Sequence, residues 1–548
     1  MRKALRSLLP VSVRRMALRW LAVVRRPTVT VVMPMYNVEH YVGECLDSLL
    51  AQDFASMEVL VVDDGSTDGS AAVVRSVASR DRRVRLLTQS NQGQGPARNL
   101  AVRQARGEFL IFIDSDDLVP PGSVRVLVSA LRQSGSDFAV GGVERVDGGD
   151  TYRPSWSVVV HEHDRTGITI DQFPAALADV VAHHRIFRRR FWVDRVGEFA
   201  PGVYEDHVPM VLAYLRARRF DLLRRVVYAW RLRADGTSTG QQKHDLGNLQ
   251  TRIAVKAQAR DLVWREGSPR VRAAWVGRVL DIDFPPYIEQ ALRADDTYRR
   301  TLSTALAAYV DLATPEVLPY VRVRQKIRTY LAARERWDDL RSAERVFDEL
   351  GSIPPTNVRG AAVMLERTPF SGLSVEVPSQ YFELGRSESR LQVCLSSCEV
   401  VEPDRLALTG WAVVRAVDLS ARVPAIELFL VADGVSEPVS LEHVRLPEAT
   451  EWVNWRHGSF DRAGFSAEVS LPLLARHGVD RSWRLRASVR IGALERDAGV
   501  HHALGGSSAS RSGLAGRRWI VGNAAATLAF DREHGFTVDI GRAGPAAT

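Results

Sequence analysis

The feature that most constrains this chain is a pattern repeated four times near its start. A short apolar run ends in a cluster of polar residues, and amphipathic helical stretches separate the runs. The runs are TVTVVM (28–33), EVLVV (58–62), VRLLT (84–88) and EFLIFID (108–114), all rich in β-branched or aromatic residues. Their length and content predict strands buried on both faces of a sheet. Between the first two, Val38, Tyr41, Val42, Cys45, Leu46, Leu49 and Leu50 recur at helical spacing. Ala97, Leu100, Ala101 and Gln104 repeat that spacing between the third and fourth. The alternation predicts a doubly wound α/β domain with a mostly parallel sheet. Cys45 lies inside the apolar stripe and reads as a core residue, not a nucleophile.

Open α/β sheets bind ligands outside the carboxyl ends of their strands. Polar residues cluster there four times: Pro34-Met35-Tyr36-Asn37, Asp63 to Asp68, Asn91 to Asn99, and Asp114-Ser115-Asp116-Asp117. One such loop is an ordinary turn; four in register make a site. Gly93-Gln94-Gly95 followed by Arg98 lacks the third glycine of a dinucleotide fingerprint, and no GxxxxGK[ST] loop occurs. Asp114 and Asp116 repel each other unless a cation lies between them, and oxygen-only ligands select Mg²⁺ or Mn²⁺. Such an ion commonly completes its shell with substrate phosphates. Asp64 is placed to accept from a base N–H, and Arg98 to pair with phosphate or stack on the base. The pattern points to a nucleoside diphosphate held with a metal.

The motifs VTVVMPMYNVEHYVGECLDSLLAQDF, VVDDGSTDGS, NQGQGPARNLAVRQARGEFLIFIDSDD and YED resemble, in order and spacing, a family 2 inverting glycosyltransferase of the GT-A (Rossmann-like) fold. The resemblance covers about residues 28–240 and implies a nucleotide-sugar donor, commonly a UDP-sugar. By motif it implies that Pro34, Tyr36 and Asp64 line the uridine pocket and that Arg98 contacts the nucleotide. Asp114 would face the ribose and metal, and Asp116 would ligate the metal, with Asp117 as a conceivable additional ligand. Glu205-Asp206 matches the family's acidic pair. Inversion needs one base opposite the leaving diphosphate, a role the resemblance gives to Asp206, with Glu205 orienting it or raising its pKa. The pair also suits a helix N-terminus, where the macrodipole favours acids by about 0.3–1 kcal/mol. The segment from Trp230 to Ser238 resembles the family's closing motif, in which Arg231 or Arg233 and Ser238 would grip the diphosphate. His207 and His244 are candidate metal ligands by the same resemblance, although a structural or solvated role suits either better. The run Arg185 to Arg190 reads as a solvated helix face; its alternative is a surface for an anionic acceptor.

The 548-residue length suggests about three or four domains. Residues 1–27 form a basic arm, 28–244 the catalytic domain, 245–388 a helical connector and 389–548 a β-sandwich. The connector carries helix-start signals at Ser268-Pro269 and Thr314-Pro315, and the stretch from about 352 to 388 reads as an irregular connection. In the last segment Trp483, Leu485, Ala487, Val489 and Ile491 alternate with Arg484, Arg486, Ser488 and Arg490. That period of two predicts antiparallel sheets with one wet face, and the exposed arginines read as guards against edge pairing, with a surface for a polyanionic polymer as the alternative. Cys394 and Cys398 lack the partner pair of a zinc site.

The formal net charge is +8, and residues 1–26 hold eight basic and no acidic side chains, so the body is balanced. That excludes a nucleic-acid-binding body. Val13, Met16, Ala17, Trp20 and Val24 lie on one helical face of the arm, which suits an anionic membrane surface or packing on the first domain. The domain order resembles wall teichoic acid glycosyltransferases, which implies a polymer or lipid-linked acceptor, a trimer, and work at the inner face of the plasma membrane. Capsule or exopolysaccharide synthesis is the same-class alternative. An inactive glycan-binding scaffold is the different-class one.

Overall fold

The computed structural model describes residues 26–232, 242–402, 404–500, 502–503, 518–521, 524–531 and 535–542. The basic arm, apart from Arg26 and Pro27, lies outside the described residues, as do Arg233 and Ser238. The chain divides into two compact units, Met1–Ile282 with Arg293–Thr301, and Asp283–Leu292 with Leu302–Thr548. Among the described residues no helix is long and apolar enough to cross a membrane.

The first unit is built on one nine-stranded sheet. Its opening half follows the sequence pattern: β1 (Val29–Met35), α1 (Val42–Leu50), β2 (Met57–Asp63), α2 (Ser70–Arg80), β3 (Val84–Thr88), α3 (Gln94–Gln104) and β4 (Phe109–Phe112). β1 and β2 are buried at every position, as two-faced strands must be. Helix α1 turns Val42, Cys45, Leu46 and Leu49 into the core. The second half adds α4 (Ser123–Ser134), β5 (Phe138–Asp147), β6 (Asp150–Tyr152), α5 (Ser155–Val160), β7 (Arg165–Ile168), β8 (Arg185–Arg188), α6 (His207–Arg216), β9 (Phe220–Arg231) and α7 (Leu246–Glu266). The strand order is β3-β2-β1-β4-β8-β5-β9-β7, with β6 on β5.

The sheet is mixed, where the sequence suggested a mostly parallel one. β1 to β4 pair in parallel, but β8 enters between β4 and β5 and runs antiparallel to both. The basic run from Arg185 is therefore corrected. Its first four residues are a central strand, not a solvated helix face. Ile186 and Phe187 are buried in the sheet, and Arg185 is equally buried because it ion-pairs with Asp179. Only Arg189 and Arg190 enter a short helical turn.

In the second unit, helices Val323–Ala333 and Trp337–Leu350 precede two sheets of five and seven strands. Arg481–Ile491 alternates as read: Trp483, Leu485, Ala487, Val489 and Ile491 are buried, and Arg484, Arg486 and Arg490 are exposed. The strand is interior, paired on both sides, so the edge-guard reading is corrected: Arg486 pairs with Asp497 and Arg490 with Glu427, acids on the neighbouring strands. Ser268 caps the helix Pro269–Arg278 of the first unit as its spacing predicts. Thr314-Pro315 instead opens a turn into the short 3-10 segment Leu318–Tyr320. The stretch read as irregular contains a hairpin, Thr356–Arg359 with Ala362–Leu365. Cys394 and Cys398 are buried on one strand, and burial pushes both thiols up to about 12.

Candidate active site

Parallel register brings the first strand ends level. Pro34 lies opposite Val62, Met35 opposite Asp63, and Asp63 opposite Thr88. Pairing of β1 with β4 stops at Val32, so the N–H missing at Pro34 interrupts no ladder there. Tyr36 follows directly and is 45% exposed. Asp64 is buried, and its carboxylate accepts from Gln89 Nε2 (2.8 Å), Gln92 N (2.9 Å) and Gly93 N (2.7 Å). It thereby fixes the loop that starts α3.

That loop lies against the segment leading into α6. A Cβ on Gly95 would meet the Ala200 carbonyl oxygen at 2.1 Å and Glu205 Cγ at 3.3 Å. Only glycine permits this approach. One turn later α3 presents Arg98, whose side chain is 3% exposed. Its Nη2 donates to Asp114 Oδ1 at 2.6 Å and to Gln94 Oε1 at 3.1 Å, while Nη1 donates to Glu205 Oε1. A single guanidinium thus ties the end of β4 to the acidic pair before α6, and in this structure it faces protein carboxylates. Burial disfavours its charge, but Asp114, Glu205 and Asp206 outweigh that and push its pKa up.

Asp206 occupies the N-cap position of α6, yet its side chain caps no N–H of that helix. Its Oδ2 accepts from the Ala182 N–H at 3.0 Å. Burial pushes its carboxyl up, against the opposing pull of Arg98 and the Ala182 N–H. Glu205 is also raised, by burial and by Asp206, despite its ion pair with Arg98. The pair stands at the start of α6, where the macrodipole also favours acids. Glu205 ion-pairs with Arg98, while Asp206 lies in the field of both Arg98 and Arg252.

The Asp114–Asp117 loop divides by task. Asp117 accepts from Tyr228 Oη at 2.5 Å and from the Arg231 N–H at 2.7 Å, so both its oxygens are engaged. Burial, then Asp116 and Asp114, push its carboxyl well up. The buried Cys45 thiol is driven up by burial and by the same three acids. That concentration of negative charge, on oxygen donors alone, fits a hard divalent cation at Asp114 and Asp116, which are only half-buried. Arg231 pairs with Glu44 at 2.7 Å and lies over the Tyr41 ring. His207 is buried with Nε2 against Lys256 Nζ, and burial and that ammonium hold its pKa well down. His244 is exposed in the turn before α7.

Sequence reading missed a second buried group. Asp179 accepts from His161 Nε2 (3.0 Å), His184 Nε2 (2.9 Å) and Arg185 Nη2 (2.5 Å), with all four side chains inaccessible to solvent. Among the described residues, His161, Asp179 and His184 are a set whose ligand atoms lie close enough together to hold a metal. The guanidinium on the same carboxylate favours hydrogen bonding over a dication there. The signal was Asp179 six residues before Arg185, in a segment otherwise apolar enough to be buried.

Residues 30–195 match the family described as Glycosyl transferase family 2. The chain is 39% identical over 112 residues to the uncharacterized glycosyltransferase EpsJ of Bacillus subtilis, a match covering 20% of this chain and 33% of that protein. The chain spans less than half the length of the curated relatives it matches. S. aureus TarS shares the fold over 94% of this chain and 86% of its own, at TM-score 0.50 and 16% identity. TarS 1–349 in complex with UDP-GlcNAc matches 64% of this chain and 99% of its own, at TM-score 0.50 and 20% identity.

Proposed function

We propose, from the match of residues 30–195 to the glycosyl transferase family 2 model, that the chain is a metal-dependent inverting glycosyltransferase. It would move a sugar from a UDP-sugar to a hydroxyl of a cell-surface polymer such as teichoic acid or polysaccharide. The observation that carries this reading is the Arg98 bridge from Asp114 to Glu205, with Asp64 holding the loop that leads into the same helix. Residues scattered over some 140 positions are thereby gathered around one helix start. The fold shared with TarS, solved with UDP-GlcNAc, supports a UDP-sugar donor.

In this reading Pro34, Tyr36 and Asp64 border the uridine. Asp206 takes the proton of the acceptor hydroxyl as the hydroxyl oxygen bonds to the anomeric carbon, and the diphosphate departs with the electron pair of the broken C–O bond. Burial raises the pKa of Asp206, the direction that suits a base, and the Ala182 N–H orients its carboxylate. Glu205 keeps Arg98 and Asp206 in place. A divalent cation held by Asp114 and Asp116 would offset charge on the departing diphosphate. Arg231 or Arg233, with Ser238, would contact that diphosphate. The enzyme would act at the inner face of the plasma membrane, with residues 1–26 on its anionic surface.

Hydrolysis of UDP-sugars without acceptor tests the reading. Wild type should release UDP with its cognate donor and Mn²⁺, and Asp116→Ala should lose at least about 10²-fold. The cognate donor should also raise the melting temperature of wild type by mass action. Failure of wild type with every common UDP-sugar would favour a binding scaffold.

A further inference from the structure

The loop between Asp179 and Arg185 makes contacts that the strand-end site does not require. Arg185 folds back on it, with Nε donating to the Val181 carbonyl and Nη2 to the Asp179 carbonyl, each at 2.6 Å. His184 Nε2 donates to the Asp179 carboxylate, so the 2.8 Å contact between His184 Nδ1 and His183 Nδ1 takes its proton from His183. Burial pushes His184 down to about 4, consistent with a neutral ring in that tautomer. His184 also adopts φ of 54°, a left-handed conformation that a non-glycine residue keeps only when its surroundings impose it. His161 ties the same carboxylate to the Leu223 carbonyl, at 2.9 Å from its Nδ1.

The loop so fixed touches the site twice. Ala182 N donates to Asp206 Oδ2 at 3.0 Å. The His183 ring stacks on Tyr228 with centroids 4.4 Å apart and planes 8° apart, and Tyr228 Oη reaches Asp117 and the Asp114 N–H. We propose that Asp179, His184 and Arg185 are positioning residues for the transfer step: they hold the 181–183 backbone so that the Ala182 N–H fixes the rotamer of Asp206. The proposal rests on Asp206 being the base. A base displaced by about 1 Å loses on the order of 10²-fold in rate without losing its donor.

The test compares His184→Ala, His184→Gln, Ala182→Pro and Asp206→Asn. Hydrolysis of UDP-GlcNAc, UDP-glucose and UDP-galactose is followed with Mn²⁺, resolving kcat from KM. His184→Ala should lose about 10- to 100-fold in kcat while donor KM stays within about threefold. Glutamine keeps an N–H donor toward Asp179 and should restore most of that loss. Ala182→Pro removes the one N–H while keeping the side chains of Asp179, His184 and Arg185, should match His184→Ala, and decides the matter if His184→Ala fails to fold. Wild-type kcat in His184→Ala or Ala182→Pro, with Asp206→Asn inactive, overturns the proposal and leaves the base intact. Full activity in Asp206→Asn, or no hydrolysis by wild type, removes the functional reading and this proposal with it. A metal ion retained in Asp116→Ala but lost in His184→Ala would make the cluster a metal site and also overturn it.

Discussion

Two groups of buried carboxylates in the first unit respond to the same burial in opposite directions. Asp179 is reached by Arg185, His184 and His161; burial favours its neutral form, but those partners hold its carboxyl well below the usual range. Glu205 and Asp206 share Arg98 with Asp114, and burial prevails, so both are raised. The number of cationic and N–H partners per carboxylate, more than depth, separates an acid built to stay charged from one able to take a proton. The first group holds the loop. In the proposed mechanism the second supplies the base.

Several substitutions sharpen or break that contrast. Asp206→Asn should lower kcat by about 10²–10⁴-fold. Its melting temperature should not fall, because the ionised form of a group with a raised pKa already costs stability; a large drop would place Asp206 with the structural acids. Asp179→Asn should do the reverse, costing about 3–5 kcal/mol in denaturant unfolding by leaving Arg185 buried without its counter-charge.

The pH response should separate the two groups as well. A base at Asp206, as proposed, acts deprotonated, so kcat/KM should fall as pH drops through a value above the ordinary carboxylate figure of about 3.9. Asp179 is depressed in the folded state, so the stability it contributes is fully present above about 3.9 and is lost only as pH falls toward its folded value. Activity should thus fade before circular dichroism reports loss of this contribution. Gly95→Ala should cost about 1–3 kcal/mol, because the added Cβ meets the Ala200 carbonyl oxygen. At the small end, Arg486→Ala on the second unit should change stability by less than about 1 kcal/mol, its pair with Asp497 being exposed.

What could be read from the sequence follows the same division. β1 to β4 were legible because apolar runs and helical stripes repeat without interruption, and Arg481–Ile491 because its period of two is strict. β8 was hidden: Arg185 and Arg188 flank Ile186-Phe187, and a buried arginine makes sense only once Asp179 is known to face it. Asp64, Asp114, Glu205 and Asp206 stood out by position at element ends. Arg98, which joins Asp114 to Glu205, is read from the sequence as a nucleotide ligand, because a sequence does not show which acids will compete for a guanidinium. The engagement of Asp117 by Tyr228 was likewise invisible, since more than a hundred residues separate them.

Calorimetric titration of the cognate UDP-sugar in Mn²⁺ tests the central claim most directly, using wild type, Asp64→Ala, Asp116→Ala and Asp206→Asn. Donor binding should be lost in the first two variants and kept within about threefold in Asp206→Asn. Wild-type affinity in both Asp64→Ala and Asp116→Ala would show that these strand ends do not form one donor site.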